Sequence, residues 1–133
     1  MLGPLLAAAG TVFIDRYNHT AAVQGLTPAV DALHEGLSVA IAPEGTRSPS
    51  PRLGRFKKGA FRLAMEAGVP VVPIVFLNAL DSLPKHGVII RPATIDAIVL
   101  DPIDVSSWEL ENLDEEIEKV RQAFVDTLEA HGR

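Results

Sequence analysis

Two largely apolar runs, "LSVAIA" (Leu37–Ala42) and "VPVVPIVFL" (Val69–Leu77), constrain this chain most. Alternating hydrophobicity would mark strands with one wet face. A continuous run marks a strand covered on both faces, as in a parallel sheet between helix layers. The residues between the runs supply a helix from about Lys57, with Phe61, Ala64 and Met65 on one side and Gly68 ending it. Upstream, Thr27 and Pro28 are suited to the N-cap and first helical position, and Ala29, Val30, Ala32 and Leu33 follow before Gly36. With "TVFID" (Thr11–Asp15) as an earlier strand, the order is strand, helix, strand, helix, strand, joined by right-handed crossovers. The expected fold class is α/β, a mostly parallel central sheet flanked by helices.

The ends extend this pattern. "MLGPLLAAAG" has the makings of a short apolar helix closed by Gly10, with Pro4 tolerated in its first turn. Val88–Ile90 and Ala93–Leu100 carry strand patterns, the second compatible with an antiparallel neighbour. The tail is the clearest helix: Leu113, Ile117, Val120, Phe124 and Leu128 recur at spacings of three and four. Asn112 with Glu115 matches a capping box, and Asp114, Glu115 and Glu116 favour the dipole of the first turn.

A chain of 133 residues is one domain or part of one, able to bury roughly two-thirds of its extended surface. Aromatics are 5%, so aliphatic residues must fill the core. Cysteine is absent, which excludes a disulfide framework, a cysteine zinc site and a thiolate nucleophile. No apolar run reaches the roughly 18 residues of a membrane span. The apolar N-terminus still allows peripheral contact with a membrane surface.

The charges are segregated. Net charge is −5, and ten of the 17 acidic residues follow Leu100, yet six of the 12 basic residues lie between Arg47 and Arg62. Overall acidity and a patch without interleaved aromatics argue against a nucleic-acid partner. One compact cluster suits one small anion such as a phosphate.

Ligands of parallel sheets bind beyond the carboxyl ends of strands. Arg16 leaves one expected strand, and Glu44, Gly45, Thr46 and Arg47 leave another. Lys57 and Lys58 open a helix whose unpaired N–H groups would also favour an anion. Arginine's planar fork can grip two phosphate oxygens. Gly45 would permit close approach or positive φ, and Thr46 would bond the ligand or cap the turn. Glu44 would orient Arg47 or Arg16, or accept a hydroxyl hydrogen from the substrate. Arg52 and Arg55 are better placed as surface charges. No Walker loop, dinucleotide fingerprint or nucleophile elbow is present, and the histidines at 19, 34, 86 and 131 lack metal-ligand spacing. The expectation is no metal.

In order along the chain, "GTVFIDR" (Gly10–Arg16), "APEGTRS" (Ala42–Ser48) and "FKKGAFRLAMEAGVPVVPI" (Phe56–Ile74) resemble successive blocks of the glycerolipid acyltransferases. That family includes the PlsC-like 1-acylglycerol-3-phosphate acyltransferases, and the likeness covers roughly Leu2 to Asn78. It implies transfer of a fatty acyl group from acyl-CoA or acyl carrier protein to the free hydroxyl of lysophosphatidate, in phospholipid synthesis and with no other cofactor. By the same resemblance, Arg16 would hold the acceptor phosphate and Glu44 to Arg47 would shape the acceptor site. Val69 to Pro73 would lie near the acyl donor path. The implied setting is cytoplasmic, peripheral to the cytoplasmic membrane.

The family's first block, a histidine four residues before an aspartate, is not found. Five places after His19, His34 and His86 stand Gln24, Val39 and Arg91. An alcohol attacks a thioester only when a positioned base takes its proton, so no catalytic residue is assigned. Residues 1–133 are therefore expected to be a partial acyltransferase domain, incomplete at the N-terminus. Its acceptor-site blocks are 10–16 and 42–48, its closing strands and helix are 88–131, and a further domain would lie upstream. The alternative expectation is a truncated, non-catalytic domain that binds a phospholipid or another anionic metabolite.

Overall fold

The computed structural model describes residues 27–46, 52–78 and 92–132. The expected N-terminal helix, the strand Thr11–Asp15, the strand at 88–90 and the side chains of Arg16 and Arg47 lie outside the described residues. The chain divides into two compact units, Met1–Ala40 and Ile41–Arg133.

In the first unit, α1 (Thr27–His34) buries Ala29 and Val30. It ends as expected at Gly36, whose N–H donates to Leu33 O at 3.0 Å while Leu37 N donates to Ala32 O at 2.9 Å. This paired arrangement satisfies carbonyls that the helix leaves open.

The apolar run Leu37–Ala42 departs from expectation, because it forms no ladder among the described residues and Leu37 and Ile41 are exposed. Strand state requires a neighbour supplying N–H and C=O partners, which apolar character alone cannot provide. The neighbour expected from sequence, Thr11–Asp15, is outside the described residues.

The second unit contains α2 (Gly59–Ala67), β1 (Ile74–Phe76), β2 (Ala97–Val99) and α3 (Leu113–Ala130). The strands pair antiparallel, Ile74 opposite Val99 and Phe76 opposite Ala97. An isolated bridge joins Val71 to Ile103. Between bridge and ladder, Val72 and Pro73 face Leu100, Asp101 and Pro102. The extra residue is a bulge, and it falls where prolines on both sides lack a ladder N–H. Pro73 still contributes its carbonyl, which accepts from Leu100 N at 3.0 Å. Val75 is 2% exposed on the side that packs against α3, whereas Phe76 is 56% exposed on the other. The run Val69–Leu77 is therefore buried on alternate residues at its strand, rather than on both faces.

The expected stripe of α3 forms the core: Leu113, Ile117 and Val120 pack with Phe56 and Phe61. Leu53, Met65, Val71, Ile103, Trp108 and Phe124 pack around them. The expected capping box is absent. Asn112 has φ −105° and ψ 5°, away from the extended conformation that aims an N-cap side chain at the following amides. Its Oδ1 instead accepts from Glu109 N at 3.1 Å, and its carbonyl accepts from Glu115 N and Glu116 N.

Candidate functional site

The segment Pro43–Thr46 is a turn whose direction is set by its glycine. Gly45 N donates to Ala42 O at 3.0 Å, with Gly45 at φ 70°. A Cβ there would approach Lys57 Cγ at 3.6 Å, an ordinary contact. The need for glycine is thus one of backbone conformation, not of space.

Two hydrogen bonds lay this turn beside the segment entering α2. Lys57 N donates to Pro43 O at 2.7 Å, and Gly54 N donates to Glu44 Oε2 at 2.9 Å. Through them the structure gathers Glu44, Gly45, Thr46 and Lys57, four of the six residues expected at the site. Arg16 and Arg47 are outside the described residues.

The entering segment is packed down on its apolar side. Phe56 is 4% exposed; its ring meets Phe124 edge-on at 5.2 Å and stacks on Phe61 at 6.4 Å. Leu53 packs against the same cluster. Burying Phe56 leaves its neighbours Arg55 and Lys57 exposed. The helix itself begins at Gly59, with Lys58 as N-cap. The amide of Lys57 lies before the helix and donates to Pro43 O.

Electrostatics then sorts the basic cluster. Lys58 Nζ bonds Asp114 Oδ2 at 2.7 Å, and Arg55 Nη2 lies 3.8 Å from Asp114 Oδ1. The Lys58 hydrogen bond holds the Asp114 carboxyl below its ordinary pKa; the charges of Lys58, Arg55 and Arg62 add to this, against a smaller desolvation penalty. These two cations therefore face the first turn of α3. Lys57 enters no ion pair among the described residues, which leaves its ammonium available for an exogenous anion.

Three features escaped the sequence reading: Gly54 as partner of Glu44, Phe56 as the anchor of the basic segment, and Asp114 as the counter-charge of Lys58. The spacing of Leu53 and Phe56 is the one local signal that could have revealed the anchor. Glu44 is expected from sequence to orient Arg47 or Arg16 or to meet the substrate; both arginines lie outside the described residues, and among the described ones its carboxylate accepts the Gly54 amide. Among the described residues no group of His, Asp and Glu could hold a metal ion, and no helix is long and apolar enough to cross a membrane. Pro73, from the block expected near an acyl path, lines an open hollow of about 400 Å³ with Val99, Leu100 and Ile103.

Comparison with known proteins assigns the chain to a family. A family model described as Acyltransferase matches residues 1–77. A 1-acyl-sn-glycerol-3-phosphate acyltransferase of Limnanthes douglasii is 34% identical over 98% of this chain and 47% of the relative. Its namesake from Saccharomyces cerevisiae is 37% identical over 98% of this chain and 44% of the relative. The crystal structure of the Thermotoga maritima 1-acyl-sn-glycerophosphate acyltransferase PlsC superposes with a TM-score of 0.68 at 31% identity, covering 82% of this chain and 46% of that one. The chain thus spans about half the length of the relatives it matches. The α/β fold is shared with that structure, and the chain belongs to the Acyltransferase family.

Proposed function

We propose that these residues form the acceptor side of an acyltransferase that esterifies the free hydroxyl of lysophosphatidate. The observation carrying this reading is the pinning of the Gly45 turn beside Lys57, a cation with no ion pair among the described residues. Lys57 takes the acceptor phosphate, with Arg16 and Arg47 added from the order of the family's blocks. Gripping the phosphate places the acceptor hydroxyl for attack on a thioester carbonyl, where a new ester bond forms as the thiol leaves. Acyl-CoA or acyl carrier protein is the donor, and no further cofactor is required. The acceptor resides in a bilayer, so the protein works at the cytoplasmic membrane surface.

The base is supplied from outside these 133 residues, by a histidine-x4-aspartate block in the same polypeptide. This part of the reading is supported by the lack of an aspartate five places after any of the chain's histidines. A second reading, binding of the lysophospholipid without transfer, rests on that same observation.

Titration with 1-oleoyl lysophosphatidate tests the site. Lys57→Ala and Arg47→Ala should each weaken binding by about tenfold or more, the worth of a charge-assisted hydrogen bond. Arg52→Ala should change it less than about twofold. Equal losses from all three would overturn the site. Retained binding without transfer, even with the upstream block present, would favour the second reading.

A further inference from the structure

Glu44 is a half-buried carboxylate among lysines and arginines, yet it joins no ion pair among the described residues. Its Oε2 accepts the N–H of Gly54, ten residues on, at 2.9 Å. A Cβ on Gly54 would stand 2.6 Å from the same oxygen, so a side chain there would push the Glu44 carboxylate off the amide. Three residues further along, the main chain returns to pair Lys57 N with Pro43 O at 2.7 Å. Two bonds thus close the base of the basic loop, and one of its two sides is fastened to the core through Leu53 and Phe56.

From this geometry we propose that Glu44 is a positioning residue: its side chain clasps the Gly54 amide and so transmits the rigidity of the Phe56 core to the turn at Gly45, fixing where Lys57 stands relative to that turn. The role needs an acceptor oxygen at the end of a side chain of this length. It does not need a negative charge. Holding two chain segments ten residues apart opposes the entropy of a flexible loop, so the turn loosens when the clasp is removed. Glycine at position 54 thus serves the clasp through close approach to Glu44 rather than through backbone freedom.

Glutamine retains a carbonyl oxygen where Glu44 has Oε2, whereas alanine retains nothing. A clasp therefore predicts that Glu44→Gln resembles the wild type, and that Gly54→Ala reproduces Glu44→Ala from the other side. If Glu44 acted by its charge, on an arginine or on a substrate hydroxyl, Glu44→Gln would be as damaging as Glu44→Ala.

Amide hydrogen exchange on the full chain, followed by NMR, reads the clasp directly. In Glu44→Ala the Gly54 amide should exchange at least about tenfold faster, the loss expected for one hydrogen bond to a charged acceptor. The Ile117 amide in the core of α3 should be unchanged. Glu44→Gln should stay within about threefold of the wild type at Gly54, since a neutral acceptor is weaker but present. Titration with 1-oleoyl lysophosphatidate should follow the same order, with Glu44→Ala and Gly54→Ala weakened and Glu44→Gln largely retained. Wild-type Gly54 exchanging as fast as an unprotected peptide, or Glu44→Gln matching Glu44→Ala in exchange, would overturn the proposal. The titration rests on the acceptor reading above and the exchange measurement does not. A wild type that ignores lysophosphatidate would sink that reading while exchange still decides the clasp. If Glu44→Ala fails to fold, the wild type and Glu44→Gln decide it.

Discussion

Leu53 and Phe56 hold one arm of the basic loop in an aromatic core, whereas the other arm, Pro43 to Thr46, is joined to the first by two hydrogen bonds. The arms carry neighbouring candidate-site residues but are fixed by different physics. Packing around Phe56 is summed over many weak contacts, so no single one decides it. The polar arm depends on single atoms: one carboxylate oxygen, one carbonyl, one glycine φ. The turn at Gly45 is thus placed by apolar neighbours on the other arm, and is open to disturbance by a change of one atom in its own backbone support.

The largest expected effect tests the packed arm. Phe56→Ala removes a ring in contact with Phe61 and Phe124 and should destabilise the fold by about 3–5 kcal/mol. Urea unfolding followed by Trp108 fluorescence measures it, since Trp108 lies against Phe61. Phe56→Leu should cost clearly less, because most of the apolar volume survives. If Phe56→Ala unfolds at nearly the wild-type midpoint, the core does not anchor the loop.

The arms also differ in how far the sequence disclosed them. Periodicity revealed the α3 stripe because Leu113, Ile117 and Val120 repeat along one helix face. Glycines at 36 and 68 marked helix ends because left-handed backbone at a helix terminus is a local requirement. The strand pattern of Ala93–Leu100, compatible with an antiparallel neighbour, is realised over Ala97–Val99 as β2, antiparallel to β1. The sequence groups Glu44, Gly45 and Thr46, after an apolar run, with Lys57 before a helix, and two hydrogen bonds bring these segments together although that run forms no strand among the described residues. The contact between Glu44 and Gly54, and that between Lys58 and Asp114 56 residues apart, have no period and leave no local mark. Asn112 shows the converse: its sequence context fitted a capping box, but the chain's actual φ and ψ turned its side chain back to Glu109.

A smaller effect probes the polar arm by itself. Gly45→Ala forces an alanine to φ 70°, although its Cβ would meet nothing closer than 3.6 Å. The cost should be about 1–2 kcal/mol, that of a left-handed residue bearing a side chain. Asparagine at the same position should cost less, because it tolerates this region better. Thermal unfolding of the two variants measures the difference. Equal destabilisation by alanine and asparagine would mean that crowding against Lys57, not backbone conformation, calls for glycine, and the contrast between the arms would blur.

The smallest effect concerns the exposed charges that tie the packed arm to α3. Asp114 has its pKa lowered from 3.8, chiefly by the Lys58 hydrogen bond. A carboxyl with a depressed folded-state pKa stabilises the fold above its unfolded value, and the benefit is lost as pH falls through the folded value. The contribution should therefore be intact at neutral pH and disappear only below about pH 4. Both partners are exposed, so salt should screen it. Comparing the melting temperatures of the wild type and Asp114→Asn as pH falls isolates this pair. The wild type should lose slightly more stability on acidification at low salt, and the difference should shrink at about 0.5 M salt. Identical pH profiles for the two proteins would show that Lys58 and Arg55 are tethered to α3 in geometry alone. The aromatic core would then be the sole source of the packed arm's rigidity, and the two arms would differ even more sharply than the hydrogen bonds suggest.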